Sequence, residues 1–315
     1  MVTPFLKISD EKREKMPYLF VSFAGEKEDK EQVYFSVSQD GLFWKDLNQG
    51  HFVLESRIGT TGVRDPFIIQ DPNSLKYYVI ATDLKMSQTK DWKAATDNGS
   101  KAIIVWESDD LINWSKERSC QIGIEQAGCV WAPEAIYDQK KKAFLVYWAS
   151  NVREEGELQA KQRIYASYTT DFHSFEQPFK FIERENDVID TTIIQSGEFF
   201  YRFSKNETSK TIEIEEAPFL ETTAFKSVPS LFLDSFFGVE GPQSYQLEDG
   251  SWILIVDQFL SGKGYVPLLV DDLANGMIRK LADNTYNMGE LRKRHGSVIA
   301  IKDTIYEQLI KFYGF

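Results

Sequence analysis

The sequence predicts an all-β fold, a five-bladed β-propeller closed by pairing N- and C-terminal strands in its last blade, with a short C-terminal helix. Three observations predict it. Short β-rich runs are punctuated by Gly, Asp and Asn, with almost no helical period between them. Four stretches each present one acid where such a run begins or ends: Arg64-Asp65-Pro66, Trp131-Ala132-Pro133-Glu134, Ile189-Asp190-Thr191 and Glu240-Gly241-Pro242. The steps from Asp65 to Glu134, Asp190, Glu240 and His295 are 69, 56, 50 and 55 residues, an imperfect period with room for four short strands each. Four acids in four equivalent places suggest a ring.

Residues 1–315 are read as one domain. The first blade spans about 65–118, with strands at 76–83 and 102–108 after the Asp65 strand. The second spans 134–180, with strands at 143–149 and 163–168. The third covers 190–228, with strands at 199–204 and 211–215, and the fourth 240–280, with strands at 251–257 and 265–270. Residues 18–47 supply three further strands and 295–301 a fourth. Joined, they close the ring and remove its open sheet edges.

A second repeat marks the turns between outer strands. Asp40, Asp110 and Asp171 each stand four residues before Trp44, Trp114 and Phe175. This reads as an Asx-type turn followed by a ring packed between sheets. At the C-terminus, Thr304-Ile305-Tyr306-Glu307 has the form of a capping box, and Ile305, Leu309 and Phe312 share one helical face.

In this topology the loops joining second to third strands gather on one face. These are 25–31, 84–100, 151–162, 205–210 and 258–264, and they are expected to wall a central pocket lined by the four acids. The length of 84–100 and 151–162 favours a closed pocket over an open groove.

Composition restricts the ligand. The chain is 42% hydrophobic and 14% aromatic, as a packed globular protein requires, and its formal net charge is -12. That charge disfavours nucleic acid as a partner, because binding a phosphate backbone needs clustered Lys and Arg. The sequence has no apolar run of about 18 residues, so no membrane partner is expected. Residues 1–17 mix acids with Lys and Arg without an apolar core, so a cytoplasmic location is expected. A neutral oligosaccharide fits best. Cys120 and Cys129 match no zinc or redox spacing and are read as free thiols, and His51, His173 and His295 are too scattered for a histidine metal cage.

Carboxylates converging on a propeller axis serve either to hold a cation or to do acid/base chemistry. Inverting glycoside hydrolysis needs a protonated acid and an ionised base about 6.5 to 9.5 Å apart. The ordered set Arg64-Asp65-Pro66, Trp131-Ala132-Pro133-Glu134, Ile189-Asp190, Glu240-Gly241-Pro242 and Arg294-His295-Gly296-Ser297 resembles glycoside hydrolase family 43, whose members are five-bladed propellers. The resemblance covers roughly 65–301.

It implies that Asp65 is the general base, Glu240 the general acid, and Asp190 the helper that orients the acid and raises its pKa. It places Glu134 at a structural or substrate-lining position. Trp131 reads as a sugar platform or as core between blades. Arg202 reads as a partner of the acid cluster, of a substrate hydroxyl or of a structural carboxylate. His295 resembles the axial histidine that in many members helps bind a calcium ion or a water in the central channel. No cofactor is required, and a structural Ca2+ would find His295 a poor ligand, since calcium prefers oxygen. Two departures stand out: Thr191 follows Asp190 where proline is common, and 64 residues precede Asp65.

The expected activity is that of an inverting exo-acting hydrolase releasing terminal α-L-arabinofuranose from plant-derived oligosaccharides. β-D-Xylose and galactofuranose are alternative sugars. A retaining, sucrose-cleaving propeller enzyme and a non-catalytic carbohydrate-binding propeller are the other readings.

Overall fold

The computed structural model describes residues 16–315. Most of the N-terminal stretch on which the cytoplasmic expectation rests lies outside the described residues. Five four-stranded antiparallel sheets surround one axis. The closing sheet contains β1 (Tyr18–Phe23), β2 (Tyr34–Ser38) and β3 (Lys45–Asp46). The first blade contains β4 (Val63–Gln70), β5 (Tyr77–Asp83), β6 (Ala102–Ser108) and β7 (Arg118–Gln121). The second has β8 (Trp131–Asp138), β9 (Ala143–Val152), β10 (Lys161–Thr169) and β11 (Phe179–Ile182). The third has β12 (Val188–Ser196), β13 (Phe199–Asn206), β14 (Thr211–Ala217) and β15 (Lys226–Val228), and the fourth β16 (Glu240–Gln246), β17 (Trp252–Asp257), β18 (Tyr265–Asp272) and β19 (Met277–Lys280).

Strand β20 (Arg294–Ala300) pairs with β1, from Tyr18 opposite Ala300 to Ser22 opposite Gly296, and becomes the inner strand of the closing blade. The expected closure by the two ends of the chain is thus what the fold shows. The first three blades begin two or three residues before their expected starts, because Asp65, Glu134 and Asp190 sit inside their inner strands, whereas Glu240 is the first residue of β16.

A middle strand of a blade is covered on both faces, so it reads as a continuous apolar run. Strand β5 shows the consequence: Tyr77, Val79 and Ala81 face the closing blade, whereas Tyr78 and Ile80 face the second blade. The same alternation builds one apolar cluster at each of the five blade interfaces.

The Asx turns form as expected. The Oδ1 atoms of Asp40, Asp110 and Asp171 each accept two backbone N–H bonds of 2.7 to 3.0 Å from residues two and three positions on. The following residue takes a positive φ each time; it is Gly41 in the first turn but Leu111 and Phe172 in the others.

The helices differ from expectation. Helix α4 (Asp303–Tyr313) starts one residue before Thr304, with Lys302 at its N-cap and no side-chain cap, so the capping box does not form. Asp303 in the first turn complements the helix dipole instead. The buried face is Tyr306 and Leu309, while Phe312 is 63% exposed. Two short helices missed by period, α1 (Met86–Thr89) and α2 (Trp92–Asp97), form within the long first-blade loop, and α3 (Leu231–Ser235) precedes the fourth blade. Among the described residues, no helix is long and apolar enough to cross a membrane.

Each inner strand carries a one-residue bulge at its pocket end. In β4, β8, β12 and β16 the bulge places one residue at positive φ: Asp65 (51°), Ala132 (47°), Asp190 (49°) and Gly241 (53°). In β20 the register shift falls at His295. A bulge frees amides from the ladder, and a side chain spans each blade junction to bond a backbone N–H. Thr82 Oγ1 accepts from Ala132 N at 2.8 Å, the Tyr147 hydroxyl from Ile193 N at 3.1 Å and Asp190 Oδ2 from Gly241 N at 3.1 Å. The Tyr265 hydroxyl accepts from Gly296 N, and Ser297 Oγ from Ile68 N, both at 2.8 Å.

Closure leaves no room beside β20. A Cβ added at Gly296 would lie 2.1 Å from Val21 O and 2.7 Å from the Ser22 Cα. Gly296→Ala is therefore expected to cost about 3 kcal/mol or more, because both obstacles are backbone. Urea denaturation monitored by tryptophan fluorescence measures it.

Candidate active site

The bulge register revises the equivalence of the four acids. Aligned by bulge, Asp65 and Asp190 share a position with Ala132, Gly241 and His295. Glu240 instead aligns with Arg64, Trp131, Ile189 and Arg294, and these five line the upper pocket. Glu134 aligns with Phe67, Thr192, Gln243 and Ser297, one layer deeper. Gly241 is small for two reasons: its φ is +53°, and a Cβ would stand 2.8 Å from the His295 ring.

The pocket has a volume of 740 Å³ and brings together Asp65, Trp131, Asp190, Glu240 and His295. Its walls come from four of the five expected loops. Leu84, Trp92 and Thr96 stand on the α1–α2 segment, Glu26 and Lys27 on the closing blade, Lys205 and Glu207 on the third and Phe259 on the fourth. The 151–162 loop contributes no lining residue; Asn151 braces α2 from behind, donating to Asp97 Oδ1 at 2.9 Å.

Asp65 lies on the floor with its side chain 12% exposed. Its Oδ1 is 3.2 Å from His295 Nδ1, and its Oδ2 accepts from Thr82 Oγ1 at 2.8 Å. Burial acts to raise its pKa, but the His295 charge and hydrogen bond outweigh it and bring the carboxyl down to about 2. Asp190 is 3.9 Å from the same nitrogen, and burial, opposed by His295 and Lys205, lifts it to about 6. His295 would lose its proton through burial alone, yet Asp190 and Asp65 hold it up to about 10.

Glu240 is gripped by two cations, Lys205 Nζ at 2.9 Å and Arg294 Nη2 at 2.7 Å. Burial pushes its pKa upward, but these contacts bring it below the ordinary glutamate value. Within the ligand-free pair it is thus Asp190, farther from its cation, whose pKa is raised, and Glu240 whose pKa is lowered. Arg294 is in turn fixed by Asp257. Arg64 lies between the rings of Phe23 and Trp92, 4.5 and 5.1 Å from their centroids, and pairs with Glu31 at 3.2 Å and Glu26 at 3.3 Å.

Trp131 is half-buried on the wall, edge-on to Trp92 with centroids 6.1 Å apart. Glu134 and Arg202 are not brought to the pocket. Glu134 is buried beneath it beside the Tyr147 hydroxyl, and burial carries its pKa up to about 8. Arg202 is buried outside the pocket, bonded to Glu215 at 2.6 Å with its guanidinium 4.0 Å from the Phe225 ring centroid.

Sequence reasoning gave no role to Lys205, Arg64, Arg294 and Trp92. Arg64 and Arg294 carried a usable signal, since each immediately precedes the bulge residue of its motif. Lys205 carried none.

The residues present do not fit a calcium ion held by His295. Its Nδ1 already faces the carboxylates of Asp65 and Asp190, and calcium takes about six to eight oxygen ligands rather than a ring nitrogen. Among the described residues, no group of three or more His, Cys, Asp and Glu is arranged to hold a metal.

The chain is thus a five-bladed propeller whose axial pocket holds Asp65, Asp190 and His295 at its floor and Glu240 in the layer above. Residues 14–307 match the family described as probable glycosyl hydrolase domain, a branch related to glycoside hydrolase family 43, and the chain belongs to that family. It is 28% identical over 288 residues to an α-L-arabinofuranosidase of Bifidobacterium longum subsp. longum, an alignment taking in 77% of this chain and 27% of that protein. The chain thus spans little more than a quarter of that relative's length.

Among the solved structures that share the fold are two at TM-score 0.58. One is a family 43 glycoside hydrolase engineered to display both endo-xylanase and exo-arabinofuranosidase activity, at 10% identity over 92% of this chain and 53% of its own. The other is a family 43 β-1,3-galactosidase with galactodeoxynojirimycin, at 13% identity over 88% of this chain and 93% of its own.

The floor is pH-sensitive. His295 and Glu134 both have folded-state pKa values above their unfolded ones. Each therefore contributes stability that is complete below its unfolded pKa and is lost as pH rises, through about 8 for Glu134 and about 10 for His295. Thermal unfolding is expected to show Tm falling from about pH 4.5 upward, with Glu134→Gln removing the share lost between about pH 4.5 and about 8 and leaving the His295 share, lost from about pH 6.5 to about 10. His295→Gln, which strands two buried carboxylates, is expected to cost about 3–5 kcal/mol at pH 7.

Proposed function

We propose that this chain is an inverting exo-glycoside hydrolase that removes a terminal α-L-arabinofuranosyl residue from an oligosaccharide. The observation that carries the reading is the convergence of Asp65, Asp190 and Glu240, from three different blades, on one walled pocket. The sugar is taken from the arabinofuranosidase relative, and exo action from the wall that α1 and α2 raise beside Trp131.

Asp65 is the base. It is ionised at any pH above about 2, takes a proton from water, and the water oxygen bonds to the anomeric carbon from the face opposite the leaving group. As the glycosidic C–O bond breaks, its electron pair stays on the leaving oxygen, which takes the proton of Glu240. For this Glu240 must be protonated, and substrate binding supplies the condition by entering between Glu240 and Lys205. Loss of the Lys205 contact and exclusion of water both favour the neutral acid. Asp190, ionised at that stage, disfavours a second negative charge beside it.

A second assignment within the same activity is favoured by the resting charge distribution. Here Asp190, the carboxyl with the raised pKa, is the proton donor, and Glu240, locked by Lys205 and Arg294, orients the sugar.

Asp65→Asn is expected to lower kcat about 100- to 10,000-fold on nitrophenyl α-L-arabinofuranoside while retaining the wild-type circular dichroism spectrum. A folded wild-type protein that releases nitrophenol from neither that substrate nor the β-D-xyloside would sink the hydrolase reading. The two proton donors differ in the sign of a pH effect near 6. If Asp190 acts ionised, kcat/KM rises with pH through about 6; if it donates the proton, kcat/KM falls there. NMR of the first-formed anomer checks inversion.

A further inference from the structure

We propose that the mouth of the pocket binds a carboxylate on the sugar next to the one released, with Arg292 as its ligand, so that the natural substrate is a uronic-acid-bearing oligosaccharide. This deepens the hydrolase reading and rests on it.

The cations deep in the pocket are already neutralised. Arg64 pairs with Glu26 and Glu31, Lys205 with Glu207 and Glu240, and Arg294 with Glu240 and Asp257. The mouth differs. Arg292 and Lys27 line the same pocket and are exposed, and among the described residues neither has a carboxylate oxygen within 4.0 Å.

Arg292 is also seated. Its Nη1 donates to Gly262 O at 3.1 Å. A Cβ at Gly25 would stand 3.2 Å from its Nη2, and one at Gly264 would stand 2.9 Å from its Cγ. The glycines of two loops therefore leave the space in which the arginine lies, and all three have positive φ, from +68° to +144°. With one edge tied to a carbonyl, the guanidinium keeps further N–H donors in its plane, the pattern that a carboxylate satisfies with two oxygens.

A neutral hydroxyl could accept one such bond, but a charge-assisted bond is roughly twice as strong. The net charge of -12 does not oppose this. Exposed charges farther away than about 8 Å are largely screened at physiological salt, and of the nearby lining acids Glu26 is engaged by Arg64 and Glu207 by Lys205, which leaves Arg292 free to take a carboxylate. The expectation of a neutral ligand, drawn from whole-chain charge, then holds for the sugar at the floor and not for its neighbour.

The test compares an arabinofuranosyl-linked glucuronic acid disaccharide with its carboxyl-reduced counterpart, arabinofuranosyl-glucose. At low salt, wild-type kcat/KM is expected to favour the acidic form about tenfold, mainly through KM, with the ratio falling toward one as NaCl rises from about 0.05 to about 0.5 M. In Arg292→Gln the ratio is expected to collapse to about one, with partial return in Arg292→Lys. A general fold defect lowers both rates and leaves the ratio intact.

Equal wild-type rates on the two disaccharides at low salt would overturn the proposal, as would a preference that survives Arg292→Gln. If that variant does not fold, the wild-type ratio and its salt dependence decide. If wild type cleaves neither disaccharide nor nitrophenyl arabinofuranoside, the hydrolase reading has failed. Calorimetry with D-glucuronate and D-glucose then tests the mouth alone: tighter glucuronate binding supports it, and indistinguishable binding ends it.

Discussion

An inner strand of a blade has a hydrogen-bonded neighbour on one side only, so its other edge would present unpaired N–H groups to the axis of the ring. This chain meets that constraint with a bulge at the pocket end of each inner strand and one side chain across each blade junction. The bonds to Ala132 N, Ile193 N, Gly241 N, Gly296 N and Ile68 N form a circuit through all five blades. Thr82 and Asp190 belong both to this circuit and to the acid cluster. The groups that position the chemistry are therefore the ones that hold the blades in register, and neither can move without the other.

The same geometry sets the charges. At the bulge residue the side chain turns onto the axis, where Asp65, Asp190 and His295 meet; Ala132 and Gly241 give them room. Three ionisable groups in a space that excludes most water would be costly unless opposite charges pair. One imidazolium shared between two carboxylates is the arrangement found. It splits the acids: the nearer one, which also accepts from Thr82, is held strongly ionised, and the farther one, beside Glu240, is left protonatable near neutral pH. One residue earlier in each strand, the pocket receives Arg64, Trp131, Ile189, Glu240 and Arg294, a layer with three neighbouring charges on one side and two apolar side chains on the other.

Much of this was legible from residues. Blade number, closure by the ends of the chain, the Asx turns and the clustering of Asp65, Asp190 and Glu240 all follow from local signals at regular spacing. The acids looked equivalent because a motif is read by its conspicuous residue. The bulge instead aligns Glu134 two residues beyond the Asp65 position and Glu240 one residue before it, and that offset separates a buried structural carboxyl from a pocket one. The lowered pKa of Glu240 was not legible, because it depends on Lys205, which arrives at the end of a strand in another blade. Arg202 was placed at the acids by blade alone, yet period-two alternation turns it away from the axis into a pair with Glu215.

Pairing β1 with β20 also orders events in time. Tyr18 meets Ala300, a contact of very high sequence separation, and such contacts are late and slow to form because a long loop must close first. Both Arg294 and His295 lie on the strand that makes this last connection. Until it docks, Asp65 and Asp190 lack the imidazolium they share, leaving Asp190 only Lys205 and Asp65 only Arg64, and Glu240 lacks one of its two cations. A chain growing from the ribosome can complete its first four blades while the pocket floor still lacks the imidazolium of His295 and the guanidinium of Arg294, so the charge balance of the site coincides with completion of the ring.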